Sequence, residues 1–468
     1  MTRVVIIGAG MGGLTAAIRL AQKGLNVQVI EARAAAGGLA SGFEKDGLRF
    51  DAGPYVLLDR PGLEWAFRAL GLELAEHISL RRIDDVYEVL SSAGVPIRFY
   101  ADLKRTAAGF DAQWPGSGKL YEQFVAETWE THKRLSPLLH VSQPQPAHLL
   151  NLRRFTRIMF LLHSLGTIMS RTNIPRPLVE AIAIWTQIAG QPLDEAPSPM
   201  AFVPALIHHV GAFYPVEGIA MIPRTLGRIA AEAGVEFQYD TRVRKIVCKR
   251  KSVQGVETSA GEFVGAAAVI SNYSGIGTYT EMLEETTSRA RQSLEKLPLQ
   301  SPGACAYLAM RGDARQPYLH FKLSGSGELC RLLVMPAAVD PDLKKNGWFP
   351  ARLISPMRYE AAERLGIEGQ RDYLNQLLEE SWWREGIDEY RVVETRVPSE
   401  WGVQYNLYRD SMNPVMTAGF MRAGRLAHRS PYAHGLYLAG SSTHPGQWVS
   451  FCAISGVLAA NDLLEDLR

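Results

Sequence analysis

Cysteine is scarce in this chain: four residues in 468, Cys248, Cys305, Cys330 and Cys452, widely spaced and with no CxxC pair. Neither a disulfide framework nor a zinc site is read from them, and a reducing compartment fits. Net charge is almost absent as well. Lys plus Arg number 50 against 48 Asp plus Glu, a formal +2, which leaves no excess to neutralise a phosphate backbone and excludes a dedicated nucleic-acid binder. No apolar run is long enough to cross a bilayer, which takes about 20 residues. The longest nearly apolar stretch, Ile158 to Met169, is interrupted by His163, Ser164 and Thr167. The N-terminus shows no charged region followed by a cleavable small-residue site, because the apolar stretch from Val4 leads into glycines, so a cytoplasmic location is expected. Internal repeats and low-complexity linkers are missing too. At 47% hydrophobic and 21% charged, the composition is that of a globular chain, and its length suggests two or three domains at about 150 residues each.

One absence is local. From Thr131 to Val179, 49 residues, there is no Asp or Glu, yet the stretch holds Lys133, Arg134, Arg153, Arg154, Arg157, Arg171 and Arg176. On a helical wheel from Leu152, Phe155, Ile158, Met159, Leu162, Leu165 and Met169 share one side, while Arg153, Arg157 and Arg171 share another and Arg154 sits nearer the boundary. A basic amphipathic helix of this kind suits peripheral attachment to anionic headgroups on the inner face of a membrane. The alternative is a core helix whose arginines face solvent or pair with distant carboxylates.

What is present begins at the first residues. Val4 to Ile7 is a β-branched run that ends in Gly8-Ala9-Gly10-Met11-Gly12-Gly13, a strand entering GxGxxG. Leu14, Ala17, Ile18 and Ala21 recur at helical spacing, Gly24 stops the helix, and Val27 to Ile30 makes a second strand ending at Glu31. Such a βαβ unit binds dinucleotides for physical reasons. One glycine makes the tight turn, the next lets backbone approach a pyrophosphate, the third lets helix and strand pack, and the acid accepts from ribose hydroxyls. No second GxGxxG follows a strand, so a built-in NAD(P)H domain is not expected, and electrons must leave for another acceptor.

Two further glycine-rich turns follow the second strand: Ala36-Gly37-Gly38-Leu39-Ala40-Ser41 and Phe50-Asp51-Ala52-Gly53-Pro54. With Glu31-Ala32-Arg33, they resemble the flavin amine oxidase superfamily. Gly440-Ser441-Ser442-Thr443-His444-Pro445-Gly446 resembles the C-terminal turn of its phytoene desaturase branch, which includes carotenoid desaturases, carotenoid isomerases and retinol saturase. Tyr214-Pro215-Val216-Glu217-Gly218-Ile219, Val243-Arg244-Lys245-Ile246 and the strand Ala267 to Ile270 ending in Ser271-Asn272 are similar to the same branch.

The resemblance implies an α/β fold with a Rossmann-like FAD-binding domain of the GR2 type, built from 1–75, 215–290 and 425–468. A second domain of mixed sheet and helices, 76–214 and 291–424, would take the substrate, with 131–179 as its membrane-facing part. Local patterns suggest a hairpin around Ser92-Ala93-Gly94 and helices through 119–190. They also suggest strands over Ala304 to Met310, Tyr318 to Leu323, Arg331 to Met335, Arg352 to Met357 and Arg391 to Val397, with a helix from Gly369 to Arg384.

As implied FAD contacts the resemblance gives Gly8, Gly10, Met11, Gly12, Gly13, Glu31, Ala32, Arg33, Gly38, Leu39, Gly53, Pro54, Val243 (through its backbone), Gly440, Ser441, Val449 and Ser450. It implies oxidation of a hydrophobic isoprenoid or polyene by hydride transfer to flavin, or its redox-neutral isomerisation. Flavin chemistry needs no triad or metal, and adjacent His208-His209 point different ways on any regular element, so no metal is expected. Catalytic candidates are His444, whose other role is to shape its turn, Trp448, and Lys322, which would hold a water over the flavin if the enzyme were an amine oxidase. Two departures stand out. Leu39 occupies a position that is usually Arg or Lys, and bulky Trp448 and Phe451 replace small residues, either narrowing the site toward a compact substrate or packing in the core. A lipid carrier on the same fold, as in the Rab GDP-dissociation inhibitors, is the non-enzymatic alternative.

Overall fold

The computed structural model describes residues 2–144, 159–324, 329–412 and 414–468. The opening apolar run forms the strand Arg3–Ile7 at the centre of a five-stranded parallel sheet. Its neighbours are Asn26–Ile30 on one side and Ala268–Ser271 on the other, and the edges are Glu236–Gln238 and Leu436–Leu438. Strands covered on both faces need apolar residues at every position rather than at alternate ones, which is why Val4, Val5 and Ile6 run consecutively and are fully buried. Three strands of this sheet thus come from beyond residue 235, although the sheet's centre is complete by residue 30.

The helix Met11–Ala21 follows the first strand, and the closing helix Val449–Asp466 lies directly against it. Their approach depends on Gly456: a Cβ there would lie 2.0 Å from the Gly12 carbonyl oxygen and 2.2 Å from Thr15 Oγ1. Thr15 Oγ–H closes the contact by donating to the Ala453 carbonyl at 2.9 Å. The last residues of the chain are thereby fixed on its first turn.

The second large layer is a seven-stranded mixed sheet. Its order is Ile387–Arg396, Ala304–Gly312, Phe349–Ser355, Arg331–Val334, Leu319–Lys322, Asp85–Leu90, Pro96–Tyr100. All neighbours are antiparallel except Leu319–Lys322 with Asp85–Leu90. Along its long strand Ala304–Gly312, next to one edge, the side chains alternate. Ala304, Ala306, Leu308 and Met310 pack against the helical stretch Tyr359–Glu379, whereas Cys305, Tyr307 and Ala309 join the core that includes the first helix.

Several local expectations shift. The strand expected from Arg352 begins at Phe349 and ends at Ser355, and the strand expected from Arg391 begins at Ile387. The helical stretch Tyr359–Glu379 is two helices that meet at Gly366, whose φ of +62° and ψ of 178° are not helical; the second of them is the helix expected from Gly369. Glycine ends the first helix there at little conformational cost, and apolar residues on both sides of it pack on the same sheet. The region 119–190 is helical where described, over Ser117–Leu135, Leu165–Met169, Arg176–Ile182 and Ile184–Ile188. Leu152 to Ile158, with Arg153, Arg154 and Arg157, lies outside the described residues. Two cations of the acid-free stretch pair with the acids that border it, Lys133 with Glu130 at 2.5 Å and Arg176 with Glu180 at 3.0 Å. Among the described residues no helix is long and apolar enough to cross a membrane.

Candidate functional site

A cleft with about 1200 Å³ of empty volume, its open mouth included, runs along the C-terminal ends of the parallel strands. This is where an open parallel sheet places ligands, because the helix N-termini converge there. The first strand ends at Gly8, whose φ of +92° turns the chain and whose N–H donates to Ile30 O at 2.8 Å. Gly13 closes the turn, since a Cβ there would lie 2.1 Å from the Gly8 carbonyl oxygen. Gly10 and Gly12 face the cleft against Asn272. A Cβ on either would come within 2.7 and 2.6 Å of the Asn272 amide, and one on Gly12 also within 2.8 Å of Gly440 N. The groove therefore exists because these positions carry no side chain.

Glu31 lies buried at the end of the second strand. Its Oε2 accepts from the Ala9 N–H at 2.7 Å and its Oε1 from the Arg33 N–H at 2.9 Å, which fixes the carboxylate on the cleft wall with lone pairs to spare. Arg33 continues the wall. Its guanidinium donates to Ser41 Oγ at 3.1 Å and to Gly38 O at 3.3 Å, and it lies 4.2 Å over the Tyr405 ring. Gly37 N–H donates to Ala9 O at 2.8 Å, so the second glycine-rich turn is tied to the first. Gly53 would place a Cβ 2.3 Å from Leu39 O, which sets the third turn directly behind the second.

Of the residues singled out in the sequence, Gly8, Gly10, Met11, Gly12, Glu31, Ala32, Arg33, Gly38, Leu39, Pro54, Val243, Gly440, Ser441 and Val449 line this one cleft. Gly13, Gly53 and Ser450 do not, and act from behind it. The Ser450 hydroxyl donates to Asp59 Oδ2 at 2.8 Å, while Asp59 Oδ1 caps the helix Arg60–Ala69 through the Gly62 N–H. The closing helix nonetheless opens at Val449 on the cleft, where its first N–H groups have no intrahelical carbonyl to meet.

The catalytic candidates lie elsewhere. His444 Nε2 hydrogen-bonds the Leu138 carbonyl at 2.8 Å, and burial pushes the ring's pKa down to about 4, so it is neutral and engaged in fixing the turn. Lys322 pairs with Glu380 at 3.1 Å, an acid it shares with Arg331, and does not line the cleft. Trp448 stacks on Phe451 with ring centroids 5.1 Å apart, and it packs against a cluster containing Leu135, Phe202 and Leu206. Both rings are partly buried, packed against the edge of the core, and neither lines this cleft. His208 and His209 diverge: the first meets Tyr121 Oη at 2.8 Å, the second stacks on Trp129.

Sequence reasoning missed several cleft residues, among them Asn272, Thr241, Arg242, Tyr405, Gln447 and Cys452. Asn272 stood in a quoted motif, and its place at the end of a parallel strand was the available signal. Tyr405 to Met412 carries no motif. There the chain takes three left-handed non-glycine residues, Asn406, Arg409 and Asp410, and only the folded chain shows that Tyr405 to Tyr408, Ser411 and Met412 reach the cleft.

Comparison with known proteins agrees with this arrangement. The family model of the flavin containing amine oxidoreductases matches residues 11–306. The zeta-carotene-forming phytoene desaturase of Myxococcus xanthus is 26% identical over 99% of this chain and 94% of its own length. The carotenoid 3,4-desaturase of Haloarcula japonica is 25% identical over 99% and 98%. Among solved structures, an oxidoreductase from Methanosarcina mazei superposes with a TM-score of 0.68 at 16% identity, over 99% of this chain and 100% of that one. Putrescine oxidase bound to putrescine gives 0.68 at 17%, over 99% of each chain; at such identities the likeness is one of fold. The chain belongs to the flavin-containing amine oxidoreductase family, it is an oxidoreductase whose cofactor is FAD, and its distant full-length relatives are carotenoid desaturases.

Proposed function

We propose that this enzyme dehydrogenates, or isomerises, a hydrophobic isoprenoid or polyene at the flavin. The observation that carries the reading is the end-to-end relation to desaturases of such substrates, which extends through the mixed sheet as well as the nucleotide-binding turns. On this reading 1–75, 215–290 and 425–468 form the FAD-binding domain of GR2 type, and 76–214 with 291–424 form the substrate domain.

The cleft suits a dinucleotide in its chemistry. Glu31 would accept from ribose hydroxyls, and the first turn of Met11–Ala21 would direct its free N–H groups at the pyrophosphate. The Val243 backbone would meet the adenine. Val449, opening the closing helix, would direct an N–H at the flavin N1/O2 edge, where a helix N-terminus favours negative charge. Gly38, Leu39 and Pro54 would border the ring system. When bound, FAD supplies a two-electron acceptor for hydride. The protein's own part is to orient the substrate C–H bond and exclude water. No proton relay through His444 or Lys322 is part of this reading, as both are held by other partners.

Peripheral membrane attachment through 131–179 belongs to the same proposal. It is supported by Met159 and Leu162, each 42% exposed, in a stretch whose only charges are cationic. The test of function is anaerobic mixing of the purified flavoprotein with isoprenoids, polyenes and amines while its absorbance near 450 nm is followed. Bleaching by an isoprenoid or polyene is expected. Bleaching by amines alone would replace this reading with a C–N oxidase, and a colourless protein that takes up no FAD would replace it with a lipid carrier.

A further inference from the structure

Two arginines of the mixed sheet are buried without a carboxylate. Arg352 is 8% exposed and Arg396 4%, and neither forms an ion pair among the described residues. Arg352 instead donates to three successive backbone carbonyls, Asp51 O at 2.9 Å, Ala52 O at 2.8 Å and Gly53 O at 2.5 Å. The Asp51 carboxylate acts on it only from beyond ion-pair distance. Its oxygens are taken by Tyr214 Oη–H at 2.8 Å and the Ala220 N–H at 3.1 Å. Arg396 is enclosed by the rings of Phe43, Tyr307, Trp401 and Tyr405, with its guanidinium carbon 4.6 to 5.9 Å from their centroids. It donates to Tyr307 Oη at 3.0 Å, and Tyr307 in turn donates to Ala52 O at 2.7 Å.

These contacts join into one band. Arg352 and Tyr307 hold the 51–54 turn, which presses through Gly53 on Leu39. Arg396 backs the Tyr405 ring, on which Arg33 lies. Buried cations without an ion-pair partner are costly, and an anion arriving nearby offsets part of that cost. The anion this cleft takes is the cofactor, with its pyrophosphate and, after reduction, its flavin ring. We propose that Arg352 and Arg396 are positioning residues for FAD: they brace the 51–54 turn, and through it and Tyr405 the turn at 36–41, and they carry positive charge that no carboxylate among the described residues meets at ion-pair distance. This rests on the reading of the cleft as the FAD site.

The two act differently, and that separates them experimentally. Arg352 works through a planar fork on three carbonyls, which lysine does not reproduce. Arg396 works through charge among rings, which lysine retains in part. Purified holoenzymes of wild type, Arg352→Met, Arg352→Lys, Arg396→Met and Arg396→Lys are diluted into FAD-free buffer, and FAD release is followed by flavin fluorescence. The visible spectrum and the melting temperature in excess FAD are recorded alongside. Release should be about tenfold faster or more in both methionine variants and in Arg352→Lys, with partial rescue in Arg396→Lys. The flavin absorption envelope should change with it. Lower melting temperatures with wild-type release and spectrum would mean that both arginines serve only the sheet, and would overturn the proposal. If the methionine variants give no folded protein, the lysine pair decides: wild-type release in Arg352→Lys overturns it. No substrate enters the measurement, so a failed substrate assignment leaves its outcome unchanged.

Discussion

The two walls of the cleft are made of different material. On the parallel-sheet side the wall is backbone: glycines whose missing side chains make room, and N–H groups at the starts of two helices. On the other side it is side chain: Tyr405 and its neighbours line the cleft, and behind them Arg352, Arg396 and Tyr307 of the mixed sheet, which do not line it, are locked to one another and to the 51–53 turn. The first wall tolerates almost no added atom: Gly10 and Gly12 face the Asn272 amide and the Gly440 N, and Gly13 behind them faces a carbonyl oxygen that cannot move aside. The second can lose atoms and still stand, but loses charge and register. Rigid backbone holds what all dinucleotides share, and side chains tune what is particular to one enzyme.

The contrast is broken most directly by adding one methyl group immediately behind the backbone wall. Gly13→Ala and Gly456→Ala would each set a Cβ about 2 Å from a carbonyl oxygen, at 2.1 and 2.0 Å. Overpacking of a core commonly costs about 1–3 kcal/mol, and here the obstructing atom is main chain, so the upper end or beyond is expected. Neither variant should yield a yellow, folded protein. The ratio of flavin to protein absorbance after purification reads the outcome, and normal FAD content in either would show that the wall yields.

Acid attacks both walls through buried histidines. His428, fully buried with Nδ1 against Leu438 O at 3.0 Å, and His320 in the mixed sheet are pushed by burial to about 4. The unfolded chain binds protons near pH 6.5 and the folded one does not, so stability is complete above that pH and falls as pH drops toward 4. Each histidine then withdraws up to about 3 kcal/mol. Melting temperature followed from pH 7 to 4 should decline steeply below about 6.5. A flat profile would mean that both rings are solvated.

These effects bear on how much was legible beforehand. The backbone wall could be read almost entirely, since Gly8, Gly10, Gly12 and Glu31 are each required by local geometry and stand at fixed spacing. Gly440 and Val449 could be read for the same reason, although they join the sheet from the far end of the chain. The side-chain wall could not. Nothing near Arg352, Arg396 or Tyr405 marks them in sequence, for an arginine on a strand usually faces water, and their burial results from how two sheets meet. Lys322 and His444 show the converse, each engaged away from the cleft by Glu380 and by the Leu138 carbonyl. Residue type suggested chemistry, and the fold supplied each with another partner.

A smaller effect is expected at Glu31. Glu31→Ala leaves the Ala9 and Arg33 N–H groups without their acceptor, at about 1–3 kcal/mol for each buried donor, and removes the carboxylate proposed to anchor the ribose. FAD affinity should fall by about tenfold or more, measured by fluorescence titration, while Glu31→Gln retains one carbonyl acceptor and loses less. Unchanged affinity in Glu31→Ala would move the ribose away from the end of the second strand.

The smallest effect sharpens the comparison from the other direction, at a charged residue of the mixed sheet outside the wall. Lys322 and Glu380 are each partly exposed, and such a pair is worth about 0–1 kcal/mol. Arg331 also holds Glu380, so Lys322→Met leaves that carboxylate with a partner. Stability, FAD content and the rate of flavin bleaching by substrate should all stay within about twofold of wild type, a difference under about 0.5 kcal/mol. A large loss of bleaching rate with FAD content intact would bring Lys322 back to the reacting centre and revive the water-holding role that amine oxidation requires. The geometry predicts otherwise, because a lysine paired with Glu380 and absent from the cleft wall has no path to the flavin without first giving up that pair.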